Sequence, residues 1–126
     1  MCIRDVWHDH ILFEGDRVSG IIDFGTMRTE HVAGDVARLL GSLVGDDPRR
    51  REVGLAAYGQ VRPLSQEELR LVTVFDASSV ALSPLNWIEW IYVDGRRFEQ
   101  PSTIEARFDE LLSRLARLAA GDGISR

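Results

Sequence analysis

The sequence predicts a mainly α-helical domain that carries one short β-hairpin near its N-terminal end, an α+β arrangement. Two short apolar runs flank Gly15 and Asp16, a pattern typical of a hairpin turn. After Gly25 the apolar residues recur at helical spacing. The chain has 126 residues, of which 44% are hydrophobic and 28% charged, so it can bury one core but not two. We therefore expect a single domain over residues 1–126.

The predicted hairpin consists of a strand at residues 11–13, a turn at residues 14–17 and a second strand at residues 18–22. Gly15 and Asp16 supply the turn chemistry. Two strands of this length are not stable alone in water, so the hairpin should lie against something larger.

The first two helices are predicted from their capping residues. Thr29 is the expected N-cap of the first helix, and Gly45 stands where that helix should stop. Asp47 is the expected N-cap of the second helix, with Pro48 at its first position and an end near Val61.

The later helices are predicted from two capping boxes. The first, at residues 65–68, opens a helix that should end near Leu82, because Pro84 is expected to kink or restart it. A segment at residues 86–93 follows, with Trp87 and Trp90 on one face. The second capping box, at residues 102–105, opens the last helix.

The composition excludes several classes of protein. A formal net charge of −5 argues against general nucleic-acid binding. Cys2 is the single cysteine, so no internal disulfide can form and a reducing compartment is expected. We find no run of about 18 apolar residues and no signal-peptide pattern, which predicts a cytoplasmic protein without a membrane partner. All 15 basic residues are arginine, so chemistry that needs a lysine must obtain it elsewhere.

Two acidic residues stand at the two ends of the predicted hairpin, Asp5 before it and Asp23 after it. Phosphoryl transfer from a magnesium-bound nucleotide needs one carboxylate to deprotonate the acceptor hydroxyl and a further oxygen ligand to hold the metal. Because a hairpin returns the chain to its starting point, these side chains are expected to share one cavity.

These residues resemble the catalytic core of the aminoglycoside phosphotransferase and choline kinase-like family, relatives of the protein kinases. The family pattern is approximately H-G-D-x-x-x-x-N, a hairpin, and then I-D-F or D-F-G. Here Ile-Arg-Asp at residues 3–5 takes the place of H-G-D, His10 stands where the Asn is expected, and Ile-Asp-Phe-Gly occupies residues 22–25. Gly-Asp-Val-Ala at residues 34–37 is similar to the family's D-L-A segment. The resemblance covers about residues 2–40.

The resemblance implies roles for individual residues. Asp5 would be the catalytic base, Asp23 the magnesium ligand, and His10 the second residue on the metal and nucleotide side. Asp35 would accept hydrogen bonds from backbone N–H groups of the catalytic loop. Ile3 replaces the histidine that braces this loop in the family, and His10 offers an imidazole nitrogen where magnesium prefers oxygen.

The resemblance also implies the fold and the activity. The chain would be the C-terminal lobe of a protein kinase-like fold, with the catalytic loop and hairpin at residues 2–25 and a helical bundle at residues 29–120, and the N-terminal nucleotide-covering lobe would be absent. The expected function is that of a phosphotransferase (kinase) that uses Mg²⁺ and ATP or GTP to phosphorylate a hydroxyl of a small molecule. The isolated chain is expected to be inactive, and the surface left uncovered could self-associate.

Two other interpretations stay open. His8, His10 and Asp23 could form a two-histidine, one-carboxylate metal site for redox or hydrolytic chemistry. Alternatively, the chain could be a non-catalytic remnant of a kinase lobe that binds a partner through its exposed surface. The acceptor, the choice between ATP and GTP, and the oligomeric state do not follow from the sequence.

Overall fold

The computed structural model describes residues 1–95 and 101–121, except for the side chains of residues 101–105 and 107. A 3₁₀ turn at His8–His10 is followed by strands β1 (Ile11–Glu14) and β2 (Arg17–Ile21). The helices are α1 (Val32–Val44), α2 (Pro48–Val61), α3 (Gln66–Ile88) and α4 (Pro101–Ala119), with a π-helical turn at Glu89–Val93 after α3. The predicted fold, mainly helical with one hairpin, is therefore confirmed.

The residues group into two compact units, Met1–Asp76 and Ala77–Arg126, and α3 contributes to both. The first unit contains the hairpin, α1, α2 and the first half of α3, and hence every predicted site residue. The single domain over residues 1–126 stays a prediction.

The hairpin forms as predicted, with a shorter turn. Strands β1 and β2 are antiparallel, and Glu14 and Arg17 pair with each other instead of lying in the turn. Gly15 has a φ of 64°, in the left-handed region that glycine adopts without strain.

Helix α1 begins behind a cap that the sequence rules missed. The N-cap is His31, whose Nδ1 accepts a hydrogen bond from the backbone N–H of Ala33 at 3.2 Å. The prediction of Thr29 was wrong, because an imidazole nitrogen here takes the role usually filled by a short oxygen-bearing side chain. Gly45 is the C-cap, as predicted.

The core of the first unit is formed mainly by one face of α1. Its buried members are Ala33, Val36, Ala37, Leu40 and Val72. Partly buried side chains from α2 and α3, including Leu55, Tyr58 and Leu71, pack against them. This packing fixes α1 in place, and with it the polar residues on the opposite side of the helix.

Helix α2 starts as predicted, with Asp47 as N-cap and Pro48 at the first helical position. Arg51 lies in the first turn, where a cation opposes the helix dipole. Its side chain is nevertheless only 18% exposed, because it pairs with Asp76 at 3.1 Å and donates to the carbonyl of Gly45 at 2.7 Å. These contacts join the start of α2 to the end of α1 and to α3.

The capping box at the start of α3 is confirmed. The backbone N–H of Glu68 donates to Ser65 Oγ at 3.1 Å, and the backbone N–H of Ser65 donates to Glu68 Oε2 at 2.8 Å. Arg62 donates to Glu68 Oε1 at 2.6 Å, and this bond, together with that from Ser65, lowers the pKa of Glu68 below its ordinary value.

Helix α3 is longer than predicted, because it passes through Pro84 and ends at Ile88. The predicted end near Leu82 was wrong. Proline removes one backbone hydrogen bond and crowds the preceding turn, and here the helix continues despite that loss.

The resulting segment Gln66–Val93 is long and apolar enough to cross a membrane by length and composition alone. Core helices of soluble proteins meet the same criterion, so the segment assigns no location.

In the second unit, Val80 and Arg114 are buried. Trp87 and Trp90 lie on one face as predicted, with ring centroids 5.4 Å apart in an edge-to-face arrangement. The side chains of the predicted capping box at residues 102–105 lie outside the described residues.

We expect Gly54→Ala in α2 to lower the free energy of unfolding by about 1–2 kcal/mol, because the added methyl group would collide with buried Leu40 of α1. Gly59→Ala in the same helix is the matched control, since a Cβ at Gly59 meets nothing within 4 Å. There the better helix propensity of alanine should raise stability by about 0.5–1 kcal/mol. Urea unfolding of both variants gives the comparison. Equal stability of the two would contradict the close contact between α1 and α2.

Candidate active site

The loop before the hairpin is attached to α1 by the carboxylate of Asp35. Asp35 Oδ2 accepts from the backbone N–H of Ile3 at 2.6 Å, and Oδ1 accepts from that of Arg4 at 2.8 Å. Asp35 lies in the first turn of α1, whose opposite face is in the core. The structure thus contains the backbone acceptor that the family resemblance implied, and it orients the backbone just before Asp5.

Arg4 occupies a position that favours glycine. Its φ is 69°, in the left-handed region that costs a residue with a Cβ about 1–2 kcal/mol. The family pattern has Gly at this position. The hydrogen bond from the Arg4 N–H to Asp35, and an ion pair between Arg4 Nε and Glu30 at 3.0 Å, hold the conformation.

The segment before the hairpin and the segment after it are joined to each other by hydrogen bonds. The backbone N–H of Cys2 donates to the carbonyl of Arg28 at 2.7 Å, and the N–H of Arg28 donates back at 3.1 Å. Thr26 Oγ1 donates to the carbonyl of Ile3 at 2.8 Å. The loop that carries Asp5 and the loop that follows β2 therefore run side by side.

Asp5 and Asp23 both keep their carboxylates accessible. The Asp5 side chain is 47% exposed, and its Oδ1 lies 3.3 Å from Arg38 Nη1 of α1. The Asp23 side chain is 55% exposed, and its backbone has a φ of 65°. Neither carboxylate is sealed in apolar surroundings, so each can reach a ligand from solvent.

His10 lies between the two acidic residues. Its Nδ1 is 2.7 Å from the backbone carbonyl oxygen of Asp5, and its Nε2 is 3.8 Å from Asp23 Oδ2. Trp7 Nε1 donates to His10 Nε2 at 2.7 Å. One ring thus connects the loop before the hairpin with the segment after it.

His8 is not part of this arrangement. Its backbone N–H donates to Ser42 Oγ at 2.7 Å, and its ring lies against Ser42 and Asp9. Within residues 1–95 and the described part of α4, no group of three or more His, Cys, Asp or Glu residues forms a metal-binding cluster. The structure therefore does not bring His8, His10 and Asp23 together as the alternative metal site requires.

The sequence interpretation missed two residues of this site. Arg38 stands three positions after Asp35, which places both on neighbouring turns of one helical face. Trp7 stands three positions before His10, within reach across a single 3₁₀ turn. Spacing alone could have identified both as candidates. The contact of Arg38 with Asp5 and that of Trp7 with His10 depend on the tertiary structure.

Residues 2–72, more than half of the chain, match the sequence model of the phosphotransferase enzyme family. The chain belongs to that family. The matched region contains the loop with Asp5, the hairpin, Asp23 and Asp35. Family membership therefore rests on the segment that forms the site.

Curated relatives share part of this region. Homoserine kinase of Bradyrhizobium diazoefficiens is 32% identical over 95 residues, which cover 71% of this chain and 29% of the relative. Homoserine kinase of Gluconobacter oxydans is 31% identical over 93 residues, 69% of this chain and 29% of the relative. The matched part of the chain thus spans about three tenths of these relatives' length. No solved structure gave a significant match.

We expect Asp35→Asn to lower the free energy of unfolding by about 2 kcal/mol, because the amide keeps one acceptor and turns an NH₂ group toward the other backbone N–H. Asp16→Asn, at an exposed turn position, is the charge-matched control and should change stability by less than about 0.5 kcal/mol. Urea unfolding followed by circular dichroism measures both. Unchanged stability of Asp35→Asn would show that its carboxylate does not hold the loop.

Proposed function

We propose that this chain is the catalytic lobe of a small-molecule kinase, which transfers the γ-phosphoryl group of ATP or GTP to a hydroxyl group. Membership of the phosphotransferase family supports the reaction class. The observation that carries the proposal is the pair of accessible carboxylates, Asp5 and Asp23, on two adjoining loops that His10 connects.

In this proposal Asp5 is the general base. Its backbone is held on both sides. The N–H groups of Ile3 and Arg4 before it donate to Asp35, and its own carbonyl oxygen lies 2.7 Å from His10 Nδ1. In the proposal the carboxylate, whose Oδ1 also lies 3.3 Å from Arg38 Nη1, accepts the proton of an acceptor hydroxyl while its backbone stays in place.

Asp23 is proposed as the magnesium ligand. Magnesium is commonly bound by one or two carboxylates together with water and substrate phosphates, so an accessible carboxylate with hard oxygen donors fits this ion. The bound ion would neutralise charge on the transferring phosphoryl group. The role of His10 as a second residue on the metal side stays a prediction.

The proposed acceptor is a hydroxylated amino acid, with homoserine as the first compound to test, because the similar curated proteins are named homoserine kinases. Arg38 supports this choice. Its guanidinium contacts Asp5 Oδ1 and is 47% exposed, so a cation borders the place where the acceptor hydroxyl would approach. In the proposal the carboxylate of the acceptor binds the Arg38 guanidinium there through two parallel hydrogen bonds, in bidentate geometry.

A chimera tests the proposal. The segment of Bradyrhizobium diazoefficiens homoserine kinase that aligns with this chain is replaced by this chain, and ADP release is measured with homoserine, ATP and Mg²⁺. Activity that depends on homoserine is the expected result. A folded chimera that phosphorylates neither homoserine nor other small hydroxyl compounds would overturn the proposed function.

The 126-residue chain on its own is expected to have negligible phosphotransferase activity, because it contains no lysine to hold the nucleotide phosphates. Its rate of ADP formation should equal that of its own Asp5→Asn variant. A measurable rate that disappears in the Asp5→Asn variant would contradict the prediction.

A further inference from the structure

We propose that His10 is a positioning residue that holds the backbone carbonyl of Asp5, and that Trp7 selects the imidazole tautomer this requires. The functional meaning of this pair rests on the proposed role of Asp5 as the base. The hydrogen-bonded arrangement of Trp7, His10 and Asp5 can be tested without measuring enzymatic activity.

The two partners of the ring determine where its proton lies. The Asp5 carbonyl oxygen, 2.7 Å from His10 Nδ1, can only accept a hydrogen bond, so Nδ1 must carry the proton. Trp7 Nε1–H, 2.7 Å from His10 Nε2, can only donate, so Nε2 must be unprotonated. One neutral tautomer satisfies both contacts, and the other tautomer satisfies neither.

The surroundings of the ring strengthen this selection. The His10 side chain is only 14% exposed, so water has little access to replace either partner. The Trp7 and His10 rings also pack edge to face, with centroids 5.5 Å apart and planes at 81°. An N–H of this largely enclosed ring turned against another N–H would be left unpaired, which favours the tautomer described.

The consequence for the site is that both flanks of Asp5 are fixed by side chains. Asp35 holds the N–H groups of the two residues before it, and His10 holds its carbonyl. The same contacts assign the Nε2 lone pair of His10 to Trp7. Binding of a metal ion at that nitrogen would require Trp7 to move away. The proposal therefore replaces the metal-side role that the family resemblance implies for His10 with one of orienting Asp5.

The first test is the tautomer of His10, read from the ¹⁵N chemical shifts of the histidine-labelled 126-residue chain at neutral pH. The His10 signals are assigned by their disappearance in His10→Asn. We expect a single form protonated at Nδ1 in the wild type, and a mixture of tautomers in Trp7→Phe. Trp87→Phe, in the second unit, is the matched control and should leave the His10 signals unchanged. A wild-type His10 protonated at Nε2, or averaged between tautomers, would overturn the proposal without any variant.

The second test asks whether His10 acts on Asp5. The carbonyl ¹³C shift of Asp5 reports the hydrogen bond that it accepts. It should move in His10→Leu and recover in His10→Asn, because the asparagine amide places a donor near the position of Nδ1. The amide signals of Ile3 and Arg4, which report the Asp35 contacts, should stay in place in both variants. An Asp5 carbonyl shift that is the same in the wild type and in His10→Leu would overturn the positioning role.

Failure of this arrangement and failure of the proposed function can be told apart. A folded chimera without activity, in which His10 is protonated at Nδ1, would contradict the proposed function and leave the arrangement standing.

Discussion

Asp5→Asn is expected to lower the phosphoryl-transfer rate of the chimera by about 10²- to 10⁴-fold, the range that a general base contributes. Asparagine has the size of aspartate and can still accept from Arg38, 3.3 Å from the native carboxylate, so the loop should keep its structure. What it loses is the ability to take a proton from the acceptor hydroxyl. The turnover number should therefore fall while the KM for ATP changes little.

The matched control is Asp9→Asn. Asp9 is an exposed acidic residue in the same segment, and its Oδ1 lies 3.2 Å from His8 Nε2. This variant should keep the activity of the parent chimera. Steady-state ADP release as a function of acceptor concentration separates the two outcomes. Near-normal turnover of Asp5→Asn would remove Asp5 from the role of base.

Asp23→Asn is expected to reduce turnover by a similar factor, through a different physical cause. The φ of Asp23 is 65°, a conformation that asparagine also tolerates, so the substitution removes charge without adding backbone strain. The neutral amide oxygen binds a divalent cation more weakly than a carboxylate does. The half-saturating Mg²⁺ concentration should therefore rise, and part of the lost rate should return at high Mg²⁺.

Asp16→Asn in the hairpin turn serves as the control for this second substitution, since it removes the same charge at an exposed position. Its dependence on Mg²⁺ should match that of the parent chimera. Activity of Asp23→Asn with an unchanged Mg²⁺ dependence would falsify its assignment as the metal ligand.

Local sequence rules predicted the elements whose signals lie within a few residues. Asp47 caps α2, Ser65 and Glu68 form a reciprocal capping box, and Gly15 makes the hairpin turn. Each of these features depends on hydrogen bonds or backbone preferences that span at most four positions. Such contacts form wherever the segment is placed, which is why they are readable in advance.

The two errors in the fold come from competition between local rules and their surroundings. Thr29 has the chemistry of an N-cap, yet His31, two residues later and directly before α1, fills that place. Pro84 has the chemistry of a helix breaker, yet α3 continues to Ile88. In both cases the sequence supplied a permissible boundary, and the folded chain placed the boundary elsewhere.

By itself, the sequence determined the order of chemical groups: an acidic residue on each side of a hairpin, a third acidic residue at the start of a helix, and no lysine. Only the tertiary structure decided how these groups meet. Asp35 binds the backbone of Ile3 and Arg4, which precede it by 32 and 31 positions. Arg38 contacts Asp5 across 33 positions. Contacts at that separation depend on where the packing of α1 against α2 and α3 places each side chain. No local propensity specifies them, and the proton position on His10 follows in turn from the partners that the fold provides.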